Sequence, residues 1–206
     1  MENTRTKTTR NSLILLLTAT IWGMAFVSQS KGMDYMHPFT FNGVRSLIGA
    51  AGILLYILIS RKIAGDKAAK LDWKLNVKAG LLCGIFLTIA STLQQFGIKY
   101  TSVGKAGFIT TLYIIFVPMF GIFLKKKVAP VVWAAAGMAA VGMYLLCMTE
   151  SLRLGAGDIM VFLCAIAFAI QIMTVDHYAA RIDGAVVSCI QFTVCGVVCC
   201  IGALIW

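Results

Sequence analysis

YTSVGKAGFITTLYIIFVPMFGIFLKKK, Tyr100 to Lys127, decides what kind of fold this chain adopts. A short polar turn holding Gly104 and Lys105 leads into Ala106 to Leu124, nineteen residues without a charge, and Lys125, Lys126 and Lys127 stop the run. About 20 apolar residues at about 1.5 Å each cover a hydrocarbon layer of roughly 30 Å, so the pattern predicts a bilayer-spanning helix whose lysine end is cytoplasmic. Gly104, Gly107, Thr111 and Pro118 fall on one side at helical spacings. They predict a narrow, hydroxyl-bearing face kinked by Pro118, with Phe108, Leu112, Ile115 and Met119 turned to lipid or to neighbouring helices. Close helix packing is the simpler use of such a face; a moving or ligand-facing helix is the other.

Composition sets the class for the whole chain. Of its 206 residues 60% are hydrophobic and 13% charged, with a mean hydropathy of +0.88, which excludes a soluble domain and predicts an all-α polytopic membrane protein. The net charge of +10 does not predict a nucleic-acid partner, because the basic residues gather at span ends rather than among base-stacking aromatics. Cys83, Cys147, Cys164, Cys189, Cys195, Cys199 and Cys200 lie in apolar runs without a CxxC pair, so they read as small buried hydrophobes; no metal and no cofactor is expected.

Outward from Tyr100 the same pattern repeats. A polar tail, residues 1–11, precedes a first span from Ser12 to Ser30; the second runs from about Phe39 to Ser60, the third from Ala79 to Ile98, and the fifth from Val128 to Met148. An outer linker at 149–157 leads to a sixth span, about Asp158 to Tyr178, and a seventh begins at Gly184. With the amino end cytoplasmic, Arg5, Lys7, Arg10, the six basic residues from Arg61 to Lys78, the three after Leu124 and Arg181 are inside; only Lys31, Lys99, Lys105 and Arg153 are outside, and Arg45 is left within a span. That asymmetry predicts a multi-pass protein of the cytoplasmic (plasma) membrane.

Aligning Leu17 to Trp22 on Leu163 to Phe168 gives an offset of 146 that sets Pro38 on Gly184 and Arg45 on Gln191. Five spans separate the two copies, so the second starts on the opposite side of the membrane: an inverted repeat. The chain stops at Trp206 in an apolar run, which reads as a truncation of that second copy.

The Trp22-Gly23 pair followed by Phe26, then Pro38 and Arg45, the Tyr100 to Gly107 turn, Pro118, and Trp133 to Leu146 with Gly137 and Gly142 resemble the drug/metabolite transporter superfamily, in particular its EamA-type members. The resemblance implies a ten-helix carrier of two inverted five-helix units with a substrate cavity between them. Here it implies one EamA-type unit over 12–148 and the first two helices of a second over 158–206, seven of ten spans. The acidic residue that many members carry after the fourth helix is absent from Leu124 to Lys127.

Polar residues inside spans mark the candidate solute site, since lipid offers them no partners. Thr88, Ser91, Thr92 and Gln95 form a stripe on the third span, and Thr18, Trp22, Ala25 and Gln29 a matching one on the first. Either stripe suits a solute cavity or plain interhelical hydrogen bonding. Thr111 and Tyr113 on the fourth span and Gln171 on the sixth complete the candidates, Gln171 sharing a face with Thr174 and Tyr178. Arg45, Gly107 and Pro118 are the structural or gating candidates. Arg45 needs a partner, for which Asp34 and neighbouring helix-end carbonyls are available.

The function these features predict is a secondary transporter moving a small organic solute, a metabolite, amino-acid-like or drug-like, by alternating access. Its partners are then the solute, membrane lipids, a coupling ion and, if a second copy closes the cavity, a homodimer. No GxxxxGK[ST] is present to bind ATP, and no HExxH or GxSxG predicts an enzyme. A non-transporting seven-helix receptor or scaffold is the alternative. A retinal protein is excluded by the lack of lysine from Gly184 to Trp206.

Overall fold

Helix starts are set by side chains that take up otherwise unpaired backbone N–H groups. In the computed structural model, which describes residues 4–65, 71–123, 129–147 and 155–206, Asp72 Oδ1 accepts from Leu75 N at 3.1 Å, Ser102 Oγ from Lys105 N at 3.2 Å, and Asp183 Oδ1 from Ala185 N and Val186 N at 3.0 and 3.2 Å. Pro38, which has no N–H to leave unpaired, opens another helix behind His37. The elements are α1 (Thr4–Gly32), α2 (Pro38–Ala64), α3 (Trp73–Tyr100), α4 (Val103–Thr111), α5 (Tyr113–Phe123), α6 (Pro130–Cys147), α7 (Ala156–Tyr178) and α8 (Gly184–Ile205), with one 3-10 turn, Ala179–Arg181, before α8. The block Lys125 to Lys127, the basic Lys67 and Lys70, and Glu150 and Arg153 of the expected outer linker lie outside the described residues.

Among the described residues six segments are long and apolar enough to cross a membrane: Thr8–Gly32, Pro38–Ile63, Trp73–Tyr100, Val103–Phe123, Ala156–Arg181 and Gly184–Ile205. The chain is therefore an all-α polytopic membrane protein. The expected fifth span corresponds to α6, whose apolar segment Pro130–Gly142 is shorter than the rest. At the other end of the chain, helix α1 begins eight residues before the expected Ser12, carrying the basic tail into the helix.

The span expected to kink at Pro118 breaks instead at Leu112, between α4 and α5. The Thr111 hydroxyl donates to the Gly107 carbonyl, a bond that competes with the backbone ladder and bends helices. Leu112 N then closes a tight turn onto Ile109 O at 3.2 Å. Pro118 is buried within α5, and Gly107 faces open space rather than a tight neighbour.

Small residues decide which helices meet, because only they let backbones approach within a lipid-like medium. Helix α2 runs antiparallel along α8, with Gly43 against Cys200 and Gly196 against Leu47. On its other side α8 meets α3, where Gly84 receives Val194; a Cβ on Gly84 would stand 2.8 Å from it. Helix α3 in turn packs on α7, then α7 on α4 and α5, with α6 outermost. Helix α1 touches α3 and α4 only through its last turns, and Gln29 is its buried residue among those described.

The bundle has two unlike ends. One gathers the last turns of α1, α3 and α8 with the first turns of α2, α4 and α7, and is called here the Asp158 end. The opposite end gathers the last turns of α2, α5 and α7 with the first turns of α3, α6 and α8, and is called the Asp183 end.

Candidate functional site

The polar stripe of α3 is engaged within α3 at Thr88 and by neighbouring helices from Ser91 onward. Thr88 Oγ1 donates to Gly84 O at 2.6 Å. Ser91 and Thr92 face α8, with Ser91 Oγ 3.4 Å from Cys195 Sγ and Thr92 Oγ1 3.7 Å from Cys199 Sγ. Asn42 Nδ2 of α2 donates to the Ser91 carbonyl at 2.9 Å. One turn further on, Gln95 is fully buried and its Nε2 donates to the backbone oxygen of Gln29 at 3.3 Å, joining α3 to α1. The side-chain oxygens of Gln29 and Gln95 are buried without a hydrogen-bond partner.

The other candidates are not brought to this stripe. Trp22 is 53% exposed on the outward side of α1, four residues outside the contact that buries Phe26 and Gln29. Gln171 Nε2 donates to Gln191 Oε1 at 2.9 Å and so ties α7 to α8. Thr111 lines a cavity of about 10 Å³ between α4, α5 and α6, and Tyr113 is half-buried at the start of α5. Arg45 pairs with neither Asp34 nor a helix-end carbonyl. Its guanidinium donates to Asn42 Oδ1 at 2.9 Å and lies 5.5 Å over the Phe41 ring, because both stand within one turn of it on α2.

The larger space lies elsewhere. At the Asp183 end, residues of α3, α5 and α7 line a cavity of about 560 Å³. Leu82, Phe120, Phe123 and Met173 form its apolar wall, and Thr174, His177 and Tyr178 bring polar groups to it from one face of α7. A volume of this size, mostly apolar with a few polar groups on one side, suits a small organic molecule.

At the Asp158 end α3 and α7 are in backbone contact. A Cβ on Gly97 would lie 2.5 Å from Val161 and 2.9 Å from the Gly157 oxygen, and one on Gly157 would lie 2.8 Å from the Tyr100 backbone. Over that contact Asp158, 3% exposed, accepts hydrogen bonds from Thr101 Oγ1 and, at 2.9 Å, from Gly155 N, and it pairs with Lys105 Nζ at 3.7 Å.

Sequence comparison assigns this bundle of apolar helices to a family. The EamA-like transporter family model matches residues 10–148. The chain belongs to the EamA-like transporter family. A relative from Archaeoglobus fulgidus, described as an uncharacterized transporter, is 30% identical over 171 residues, which are 80% of this chain and 48% of that protein. The chain thus spans about half the length of the curated relative it matches. No solved structure matches it.

Sequence reasoning named Thr174 and Tyr178 as sharing a face with Gln171 but missed Leu82, Phe120, Phe123, Met173 and His177 as the cavity wall of this EamA-like protein. Ile170, Met173, Thr174, His177 and Tyr178 recur at spacings of three, four, seven and eight, one face of α7, and that spacing was the available signal. Gln171 stands beside that face but turns to α8. Asp158 and Asn76 were missed for a different reason: each sits at a helix start, where an acidic or amide residue ordinarily caps in solvent, whereas here both are buried.

Proposed function

We propose that this chain is the solute-binding part of a secondary carrier in the cytoplasmic membrane, moving a small, partly apolar organic solute by alternating access, without chemistry of its own. The observation that carries this reading is the cavity of about 560 Å³ at the Asp183 end, with α3 and α7 in backbone contact at the Asp158 end. A carrier needs such an asymmetry, since a path open at both ends would be a channel. The described basic residues Arg61, Lys62, Lys74, Lys78 and Arg181 lie at the Asp183 end against Lys31, Lys99 and Lys105 at the other, which favours a cytoplasm-facing cavity and a cytoplasmic amino end.

The α2 and α8 pairing supports the inverted-repeat reading. Ser46 meets Cys195 at 3.4 Å, and the offset of 146 exchanges that contact for Gly49 with Phe192, which also face one another. Antiparallel helices related in this way are what two oppositely inserted copies of one unit produce where they meet.

The experiment is uptake by the purified chain in liposomes, using radiolabelled amino acids, nucleosides and aromatic amines, compared with a Met173→Trp variant that fills the cavity. Saturable uptake of one class, reduced at least tenfold by Met173→Trp and untouched by Met138→Trp on the exposed side of α6, supports the reading. Uptake no greater than that of empty liposomes, or equal in wild type and Met173→Trp, overturns it.

A further inference from the structure

Three hydroxyl groups converge on two cysteine sulfurs among α2, α3 and α8. Cys195 and Cys199 stand one turn apart on α8, 1% and 0% exposed. Ser46 Oγ of α2 donates to Cys195 Sγ at 3.4 Å, and Ser91 Oγ of α3 lies 3.4 Å from the same sulfur. Thr92 Oγ1 lies 3.7 Å from Cys199 Sγ, one turn along the same helix. Arg45 follows Phe41 and Asn42 on the same stretch of α2, so a cation stands next to Ser46 in the chain. Other buried cysteines lack this setting: Cys83 sits among Ala79 and Val187, within an apolar cluster.

We propose that Cys195 and Cys199 form a two-thiolate binding site for a soft monovalent metal ion, of the Cu(I) or Ag(I) class. Soft thiolates select soft metals. Two sulfurs on opposite sides of an ion, each about 2.3 Å away, stand about 4.6 Å apart, a separation within reach of side chains whose Cβ atoms are about 5–6 Å apart on adjacent turns. Among the described residues no third histidine, cysteine or carboxylate joins the pair, which disfavours a four-coordinate zinc site and suits a two-coordinate ion.

Binding is a ligand exchange without redox change. Each S–H bond breaks, its electron pair forms a sulfur–metal bond, and two protons leave to solvent. The bis-thiolate with its +1 ion then carries one net negative charge. The hydroxyls of Ser46, Ser91 and Thr92 donate to the thiolates, and the Arg45 guanidinium, adjacent to Ser46 on α2, offers a positive charge on the same helix. Metal occupancy would thus sit on the α2, α3 and α8 contacts, independent of which solute is carried.

Ag(I) is the probe, because it stays monovalent in air. The full chain, purified in detergent and chloride-free buffer, is loaded with silver nitrate, washed with excess methionine as a soft competitor, and its retained silver counted. One retained equivalent is expected, falling at least tenfold in Cys195→Ser and in Cys199→Ser and unchanged in Cys164→Ser on α7. X-ray absorption on wild-type protein, which needs no variant to fold, should find two sulfur neighbours around silver. Retention that survives the Cys195→Ser, Cys199→Ser double variant, absence of retained silver in wild type, or a silver ion with one sulfur neighbour overturns the site.

Discussion

The two ends of the α3 and α7 pair are built from opposite materials. At the Asp158 end, backbone lies on backbone at Gly97 and Gly157, and a buried carboxylate is held by a lysine, a hydroxyl and an N–H. At the Asp183 end Tyr178 packs on the Ala79 and Cys83 cluster, Leu82 and Met173 line an apolar cavity, and the acid that names it reaches Arg61 at 3.9 Å with both side chains 41% exposed. Glycine contact and buried charge leave no slack, while an open apolar wall and a solvated ion pair leave much. The difference teaches where a helix pair of this kind is fixed and where it is free to change.

That contrast is breakable in order of depth. The largest effect is expected from Asp158→Ala, which removes the buried acceptor of Thr101 Oγ1 and Gly155 N and the carboxylate facing Lys105; about 3 kcal/mol of stability should be lost, read as a lower apparent melting temperature in detergent. Gly97→Leu forces a side chain into the Val161 and Gly157 contact and should cost about 2 kcal/mol on the same readout. If both variants melt like wild type, the Asp158 end is not the fixed one.

Smaller effects belong to the Asp183 end. Asn76 is 1% exposed and its Oδ1 accepts from Asp183 N at 2.8 Å, so Asn76→Ala should cost about 1 kcal/mol. Arg61→Gln removes a solvated pair and should stay within about 0.5 kcal/mol of wild type. A loss from Arg61→Gln as large as that from Asp158→Ala would erase the distinction between the ends.

Much of this architecture was legible in the sequence because bilayer thickness is a strong ruler. Uncharged runs closed by basic residues located the helices, and α2, α3, α7 and α8 fall within a few residues of their expected spans except where α3 extends to Trp73. The break at Leu112 was misplaced at Pro118 because a threonine's bond to a carbonyl one turn back leaves no pattern of its own, whereas proline always draws the eye. The polar stripe of α3 was found correctly as a stripe. Whether Ser91 and Thr92 meet solute or sulfur depends on which face of α8 stands opposite, and that is settled by glycines on three helices at once.

The Gly97 and Gly157 contact also has a mechanical meaning. With no side chain between the two backbones, it is a fulcrum at one extremity of a long rod. Leu82 lies fifteen residues before Gly97 on α3, a lever arm of about 22 Å at a rise of about 1.5 Å per residue. Tilting that rod by about 10° would sweep Leu82 through about 4 Å while moving Tyr100 by less than about 1 Å, by the same rise. A small torque applied near the fulcrum would therefore be delivered as a broad stroke at the cavity.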